Sequence, residues 1–120
     1  MASATILIVE DNSNVRLALT TFLKMKGFNV REAGSYADAR AMISSPDLAV
    51  TITDLNLPDG KGDELLASAT HPVIAMTGHI DDQTRVRLLE QGFAAFLPKP
   101  ATLDQVLVAV EEAIGPGALR

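Results

Sequence analysis

The chain has 120 residues, of which 48% are apolar and 21% are charged, and this composition is typical of one packed globular domain. With 15 acidic against 10 basic residues the formal net charge is -5, so nucleic-acid phosphates would be repelled and direct nucleic-acid binding is not expected. The absence of cysteine excludes disulfide bonds, thiolate nucleophiles and sulfur-based zinc sites.

The sequence shows no targeting or membrane signal. No apolar stretch approaches the roughly 18 residues that a membrane-spanning helix needs, and the N-terminus has no basic region before its apolar run. We therefore expect a cytoplasmic protein with no membrane partner. The expected organisation is a single domain over residues 1–120, with its core at about residues 4–115 and a short tail at 116–120.

Five short apolar runs recur along the chain, and segments with helical spacing separate them. The runs lie at residues 5–9, 28–31, 48–53, 73–76 and 94–97. Strands that alternate with helices are typical of parallel βα units. The sequence therefore predicts an α/β fold.

The predicted helices follow the runs in order. The first carries Val15, Leu19 and Leu23 at helical spacing and stops at Gly27. The second begins at Ser35 and ends before Pro46, the third spans about residues 63–68, and the fourth spans about residues 82–91. The fifth opens with a capping box at residues 102–105 and stops at Gly115.

The character of the strands indicates their order in the sheet. Residues 6–9 and 73–76 are apolar throughout, as expected of central strands that are covered on both faces. Residues 28–31 alternate in polarity, and residues 94–97 are followed by Pro98, which suits an edge strand. These features predict a doubly wound, five-stranded parallel sheet of order 2-1-3-4-5, with its crevice between strands 1 and 3.

Polar side chains follow four of the five strands. Glu10 and Asp11 follow the first strand, Asp54 the third, Thr77 the fourth and Lys99 the fifth. Since the carboxyl ends of parallel strands meet at one edge, three carboxylates would share one crevice, and their mutual repulsion calls for a cation. Mg²⁺, which binds one or two carboxylates together with phosphate oxygens and water, fits this set best.

The same residues predict phosphoryl transfer. Asp54 is the natural nucleophile because aspartyl phosphates are an established covalent route. Lys99 offers a positive charge to a phosphoryl oxygen, and Thr77 offers a hydroxyl donor. Transfer of this kind depends on in-line positioning and charge neutralisation.

Four motifs in register with the strands identify a family resemblance. They are Ile-Val-Glu-Asp at 8–11, Asp-Leu-Asn-Leu-Pro-Asp-Gly-Lys-Gly at 54–62, Met-Thr-Gly at 76–78 and Phe-Leu-Pro-Lys-Pro at 96–100. With these motifs the chain resembles the receiver domains of two-component response regulators, which have a flavodoxin-like (βα)5 fold. The resemblance spans about residues 4–115.

The resemblance implies a chemical role for the clustered acids. Asp54 would accept a phosphoryl group from the phosphohistidine of a sensor histidine kinase or a phosphotransfer protein. Asp11 and Asp54 would bind Mg²⁺ directly, Asn56 through its backbone carbonyl, and Glu10 through water. Lys99 would bind the phosphoryl oxygens.

The resemblance also implies a switch. Thr77 would shift toward the phosphoryl group as Phe96 rotates inward, which would change the surface formed by the fourth helix, the fifth strand and the fifth helix. The output partner would be a downstream effector protein or a covalently linked domain. Relatives suggest a cis bond between Lys99 and Pro100, and His79 would lie at the rim of the site.

Other functions fit the sequence less well. The runner-up is a receiver-like interaction module that works without phosphorylation. A dehalogenase-type phosphatase would need a second aspartate where Asn56 stands, and a flavin carrier would need glycine in the loop at 11–15. We therefore expect a signalling switch with slow autodephosphorylation, and not an enzyme with substrate turnover.

Overall fold

The computed structural model describes residues 3–78 and 80–115. Five parallel strands form one sheet, and they are β1 (Thr5–Val9), β2 (Asn29–Ala33), β3 (Leu48–Asp54), β6 (Val73–Thr77) and β7 (Ala95–Pro98). Their order in the sheet is β2-β1-β3-β6-β7. Since β6 and β7 are the fourth and fifth predicted strands, this order confirms the predicted doubly wound α/β arrangement. The α-helices are α1 (Ser13–Met25), α2 (Tyr36–Met42), α3 (Asp82–Gln91) and α4 (Leu103–Ile114).

The sheet is covered on both faces, and all residues of its central strands β1, β3 and β6 are buried except Thr5 and Ala49. On one face Ile6, Ile8 and Ile52 pack with residues of α1 and α4. The other face holds two clusters, one of which joins Leu7 to residues of α2 and the other of which joins Val73 to residues near α3. Both faces of a central strand are thus withdrawn from water, as the unbroken apolar runs predicted.

Side-chain caps fix where the helices begin. The Asn12 Oδ1 atom accepts hydrogen bonds from the backbone N–H groups of Asn14 and Val15, each at 3.0 Å. At the start of α4, Thr102 and Gln105 form the predicted capping box with reciprocal hydrogen bonds. Each cap satisfies amide donors that have no partner within their own helix, so these starts follow from local sequence.

The structure corrects three expectations about the fold. The third predicted helix is a 3-10 helix at Gly62–Ser68. Ahead of it lies an unpredicted antiparallel hairpin of β4 (Asn56–Leu57) and β5 (Gly60–Lys61). Val15, which was expected on the core face of the first helix, is 38% exposed.

The fourth and fifth predicted helices correspond to α3 and α4. The Lys99–Pro100 peptide bond is cis, as the resemblance implied. Among the described residues, the helices are all too short or too polar to cross a membrane.

Candidate functional site

Three acidic side chains meet at the carboxyl edge of the sheet. Glu10 directly follows β1, Asp11 follows Glu10, and Asp54 ends β3, the strand next to β1. Each offers a carboxylate oxygen, and the three oxygens lie within 4.8 Å of one another. Glu10 is fully buried and Asp54 is 5% exposed, whereas Asp11 is exposed. The predicted crevice therefore contains the predicted acids.

The Asp54 carboxylate is held at both of its oxygens. Its Oδ1 atom accepts a hydrogen bond from the backbone N–H of Asn56 at 3.0 Å, and its Oδ2 atom accepts one from the Lys99 ammonium at 2.6 Å. The chain then turns back against Asp54, and a Cβ atom on Gly62 would overlap the Asp54 carbonyl oxygen. Glycine is required at this close approach.

Lys99 joins the acids of two strands. Its ammonium also donates to Glu10 Oε1 at 2.9 Å, so one cation contacts both buried carboxylates. The backbone N–H of Lys99 donates to the Thr77 carbonyl at 2.9 Å. This bond fixes the point at which the lysine leaves β7.

The pKa values of this cluster are coupled through charge. Burial raises the pKa of Glu10; contact with the Lys99 ammonium acts in the opposite direction, and the Asp54 charge adds to the rise. Burial alone lowers the pKa of Lys99, but its hydrogen bonds to Asp54 and Glu10 outweigh that effect and raise the pKa above its ordinary value. Lys99 is thus held in its charged form.

The donor set fits a hard divalent cation. All three acids present oxygen ligands, which Mg²⁺ prefers over nitrogen and sulfur. The Glu10 Oε2 atom is buried and accepts no hydrogen bond from the described residues. Because a buried carboxylate oxygen without a partner is costly, it favours a cation or metal-bound water in the crevice.

Thr77 ends β6 and is buried. It lines a cavity of about 290 Å³ together with the residue that directly follows Asp54 and with residues of the hairpin, the 3-10 helix and α3. Those residues are Leu55, Asn56, Lys61, Asp63, Thr84 and Arg87. The structure therefore brings Thr77 and Asn56 to one opening next to the acids.

Phe96 lies in β7 and is half-buried, packing against the cluster that contains Leu88 and Phe93. The guanidinium of Arg85 lies 5.2 Å from the centre of its ring, within the range of a cation–π interaction. The aromatic residue thus bridges the apolar core and the α3 surface. His79, expected at the rim of the site, lies outside the described residues.

Sequence reasoning missed two residues that support the site. Asp59, in the turn of the hairpin, accepts hydrogen bonds from the backbone N–H groups of Tyr36 and Ala37 at 2.8 Å and 3.0 Å. Arg16, on α1, donates to the Glu10 carbonyl at 2.7 Å. The sequence places Asp59 in an Asp-Gly turn and Arg16 on a helix, but neither local pattern indicates which distant residue the side chain contacts.

Comparison with known proteins identifies the family. The profile of the response regulator receiver domain matches residues 6–111. The chain belongs to the response regulator receiver domain family. Receiver domains serve two-component systems as signalling switches, and they are not typical enzymes.

Individual relatives agree with the family. The transcriptional regulatory protein FixJ of Rhizobium meliloti is 34% identical over 121 residues, covering 94% of this chain and 58% of FixJ. The sensor kinase CckA of Brucella abortus is 32% identical over 117 residues, covering 92% of this chain and 12% of CckA. The non-phosphorylated HemR receiver domain of Leptospira biflexa has a TM-score of 0.85 and 29% identity, covering 94% of this chain and 95% of that chain.

The chain spans less than two thirds of the length of these curated relatives. The likeness to FixJ and CckA is therefore a likeness to one part of each. It supports the receiver assignment and leaves the other parts of those proteins out of the comparison.

Proposed function

We propose that Asp54 is the phosphoacceptor of a two-component phosphorelay and that it receives its phosphoryl group from a phosphohistidine on a sensor kinase or phosphotransfer protein. The observation that carries this proposal is that both oxygens of the Asp54 carboxylate accept hydrogen bonds. One oxygen faces the Lys99 ammonium at 2.6 Å and the other faces the Asn56 N–H at 3.0 Å. A carboxylate held at both oxygens is oriented before the donor arrives.

In the transfer step, an oxygen of Asp54 forms a bond to phosphorus as the bond from phosphorus to the donor imidazole nitrogen breaks. The electron pair of that bond returns to the imidazole, which takes up a proton. The Lys99 ammonium would donate to one phosphoryl oxygen, and the Thr77 hydroxyl would donate to another. The products are an aspartyl phosphate and a free histidine.

Mg²⁺, bound by Asp11, Asp54 and the Asn56 backbone carbonyl, and through water by Glu10, would supply charge neutralisation for the acids and the phosphoryl group. The orphaned Glu10 Oε2 atom supports this placement. We expect the aspartyl phosphate to hydrolyse slowly. Turnover of small phosphate esters is not expected.

A groove beside Lys99 supports a protein donor. Its volume is about 470 Å³ and its lining is largely apolar, with Val15 and Ala18 from α1 facing Ala101 and Leu103 across it. Val15 and Leu103 are 38% and 39% exposed. A partner helix that lies in this groove would bring its histidine to the edge where Asp54 lies.

Phosphorylation would be transmitted through Thr77 and Phe96 to the surface formed by α3, β7 and α4. Phe96 is half-buried between this surface and the core, so a movement of its ring would change contacts on both sides. A dianionic group near Thr77 would favour the inward ring, and a change from 1:99 to 99:1 would take about 5.5 kcal/mol of differential interaction. The receiving partner would be an effector protein or a linked domain.

Transfer of labelled phosphate from phosphorylated histidine proteins tests the proposal. The wild-type chain should gain the label in the presence of Mg²⁺, and Asp54→Asn should not. Asp47→Asn is the matched control, since Asp47 is exposed and precedes β3 at its opposite end. A wild-type chain that takes no label from any histidine donor, yet still binds an effector, would support the interaction module instead.

A further inference from the structure

Arg16 reaches from α1 to the end of β1 and the end of β2. Its Nη1 atom donates to the Glu10 carbonyl oxygen at 2.7 Å, and its Nε atom lies 3.4 Å from Glu32 Oε1. A Cβ atom on Gly34 would lie 3.1 Å from Nη1, so the guanidinium lies against the backbone there. Its side chain is only 23% exposed. The guanidinium is therefore held from three sides.

The carbonyl that Arg16 holds belongs to the peptide unit that joins Glu10 to Asp11. Because a peptide unit is planar, the direction of its carbonyl sets the direction in which Asp11 leaves Glu10. The N–H of Glu10 is also fixed, since it donates to the Ala33 carbonyl at 3.0 Å. Asp11 itself is exposed, so the backbone ahead of it is what determines where its carboxylate lies.

We propose that Arg16 is a positioning residue for divalent-cation binding: by holding the Glu10 carbonyl it places the Glu10 and Asp11 carboxylates together with Asp54. This inference rests on the proposed function for its biological purpose. Within the part of the chain that the structure describes, Arg16 makes no hydrogen bond or ion pair with the carboxylates of Glu10, Asp11 or Asp54, and it acts through the backbone of Glu10.

Charge alone predicts the opposite effect. Arg16 is a cation near a cation site, so removing its charge would strengthen divalent binding if electrostatics were its only influence. Loss of positioning weakens binding instead, and outer-shell partners of metal ligands typically account for about 10-fold to 100-fold in metal affinity. The sign of the change therefore separates the two explanations.

The experiment measures Mn²⁺ binding to the purified chain, with free Mn²⁺ read from its electron paramagnetic resonance signal. Arg16→Ala and Arg16→Lys should each bind Mn²⁺ about 10-fold more weakly than wild type. Lysine keeps the charge but lacks the planar fork that serves the carbonyl and Glu32 together. Arg40→Ala is the matched control for net charge, since Arg40 is exposed on α2, and it should bind as wild type does.

Tighter binding by Arg16→Ala, or wild-type affinity in Arg16→Lys, would overturn the inference. Melting temperatures in EDTA show whether each variant is folded, and if Arg16→Ala does not fold, Arg16→Lys alone decides. Phosphorylation of Asp54 in the wild-type chain is measured separately. A chain that accepts phosphate but shows unchanged Mn²⁺ affinity in Arg16→Lys refutes the role of Arg16 and leaves the proposed function standing.

Discussion

Replacement of Lys99 by methionine removes an ammonium that contacts both Glu10 and Asp54. Glu10 has no exposed surface and Asp54 is 5% exposed, so neither charge gains much solvation when the lysine is lost. Removal of one partner from a buried ion pair costs roughly 3–5 kcal/mol. Because Lys99 is itself 30% exposed, we expect Lys99→Met to lie at the lower end, about 3 kcal/mol.

The loss should depend on pH. Burial already raises the pKa of Glu10 and the Lys99 ammonium opposes that rise, so without Lys99 the pKa rises further. A carboxyl whose pKa is higher in the folded than in the unfolded state binds more protons when folded, and stability then falls as pH rises above its ordinary value of 4.5. The deficit of Lys99→Met should therefore be larger at pH 7.5 than at pH 5.

Urea unfolding followed by far-ultraviolet circular dichroism, in EDTA to remove divalent ions, measures these free energies. A loss of about 3 kcal/mol corresponds to a fall in melting temperature of about 10 °C for a chain of this size. Lys61→Met is the control, since Lys61 is exposed and makes no ion pair with a described residue. Adding Glu10→Gln should recover about 1–2 kcal/mol, because it removes one uncompensated charge.

The reasoning fails if the free energy of unfolding of Lys99→Met lies within about 1 kcal/mol of the wild-type value at both pH values, because the loss of a buried ion-pair partner should cost more than that. It also fails if the deficit is larger at pH 5, or if Glu10→Gln lowers stability further in the Lys99→Met background.

Two further predictions concern titratable groups outside the acidic cluster. Hydrogen bonds from the backbone N–H groups of Tyr36 and Ala37 lower the pKa of Asp59. The stability that the Asp59 carboxylate contributes is therefore present above its unfolded pKa and is lost as pH falls through the lower folded pKa. When the melting temperature is measured at decreasing pH, it should fall less in Asp59→Asn than in wild type. Burial lowers the pKa of His71, whose Nε2 atom lies 2.7 Å from Thr51 Oγ1. The stability associated with neutral His71 is full above its ordinary pKa of 6.5 and is lost as pH falls through the lower folded pKa. The urea midpoint should therefore change less between pH 8 and pH 5 in His71→Gln than in wild type. An equal change in both proteins would contradict this prediction.

Much of the fold could be predicted because its signals are local. The apolar run at residues 73–76 has no polar position, which placed β6 inside the sheet, and Pro98 placed β7 at an edge. The Thr102 capping box marked the start of α4 in four residues. Charge repulsion among Glu10, Asp11 and Asp54 then pointed to a cation, because strand order alone brings their positions together.

The rest depends on contacts between distant segments. Each strand of the hairpin has two residues, too few to show a period. Asp59 and Tyr36 lie 23 residues apart, and nothing near Asp59 in the sequence indicates that it binds the start of α2. Methionine is usually a core residue, yet Met25, the last residue of α1, is 78% exposed.

The central claim is that Asp54 is the phosphoacceptor of a Mg²⁺-dependent site. Intact-mass spectrometry of the purified chain after incubation with acetyl phosphate tests it most directly. With Mg²⁺ the wild-type chain should gain the mass of one phosphoryl group, and it should not do so in EDTA or after Asp54→Asn. Equal labelling of wild type and Asp54→Asn, or labelling that is unaffected by EDTA, would contradict the account.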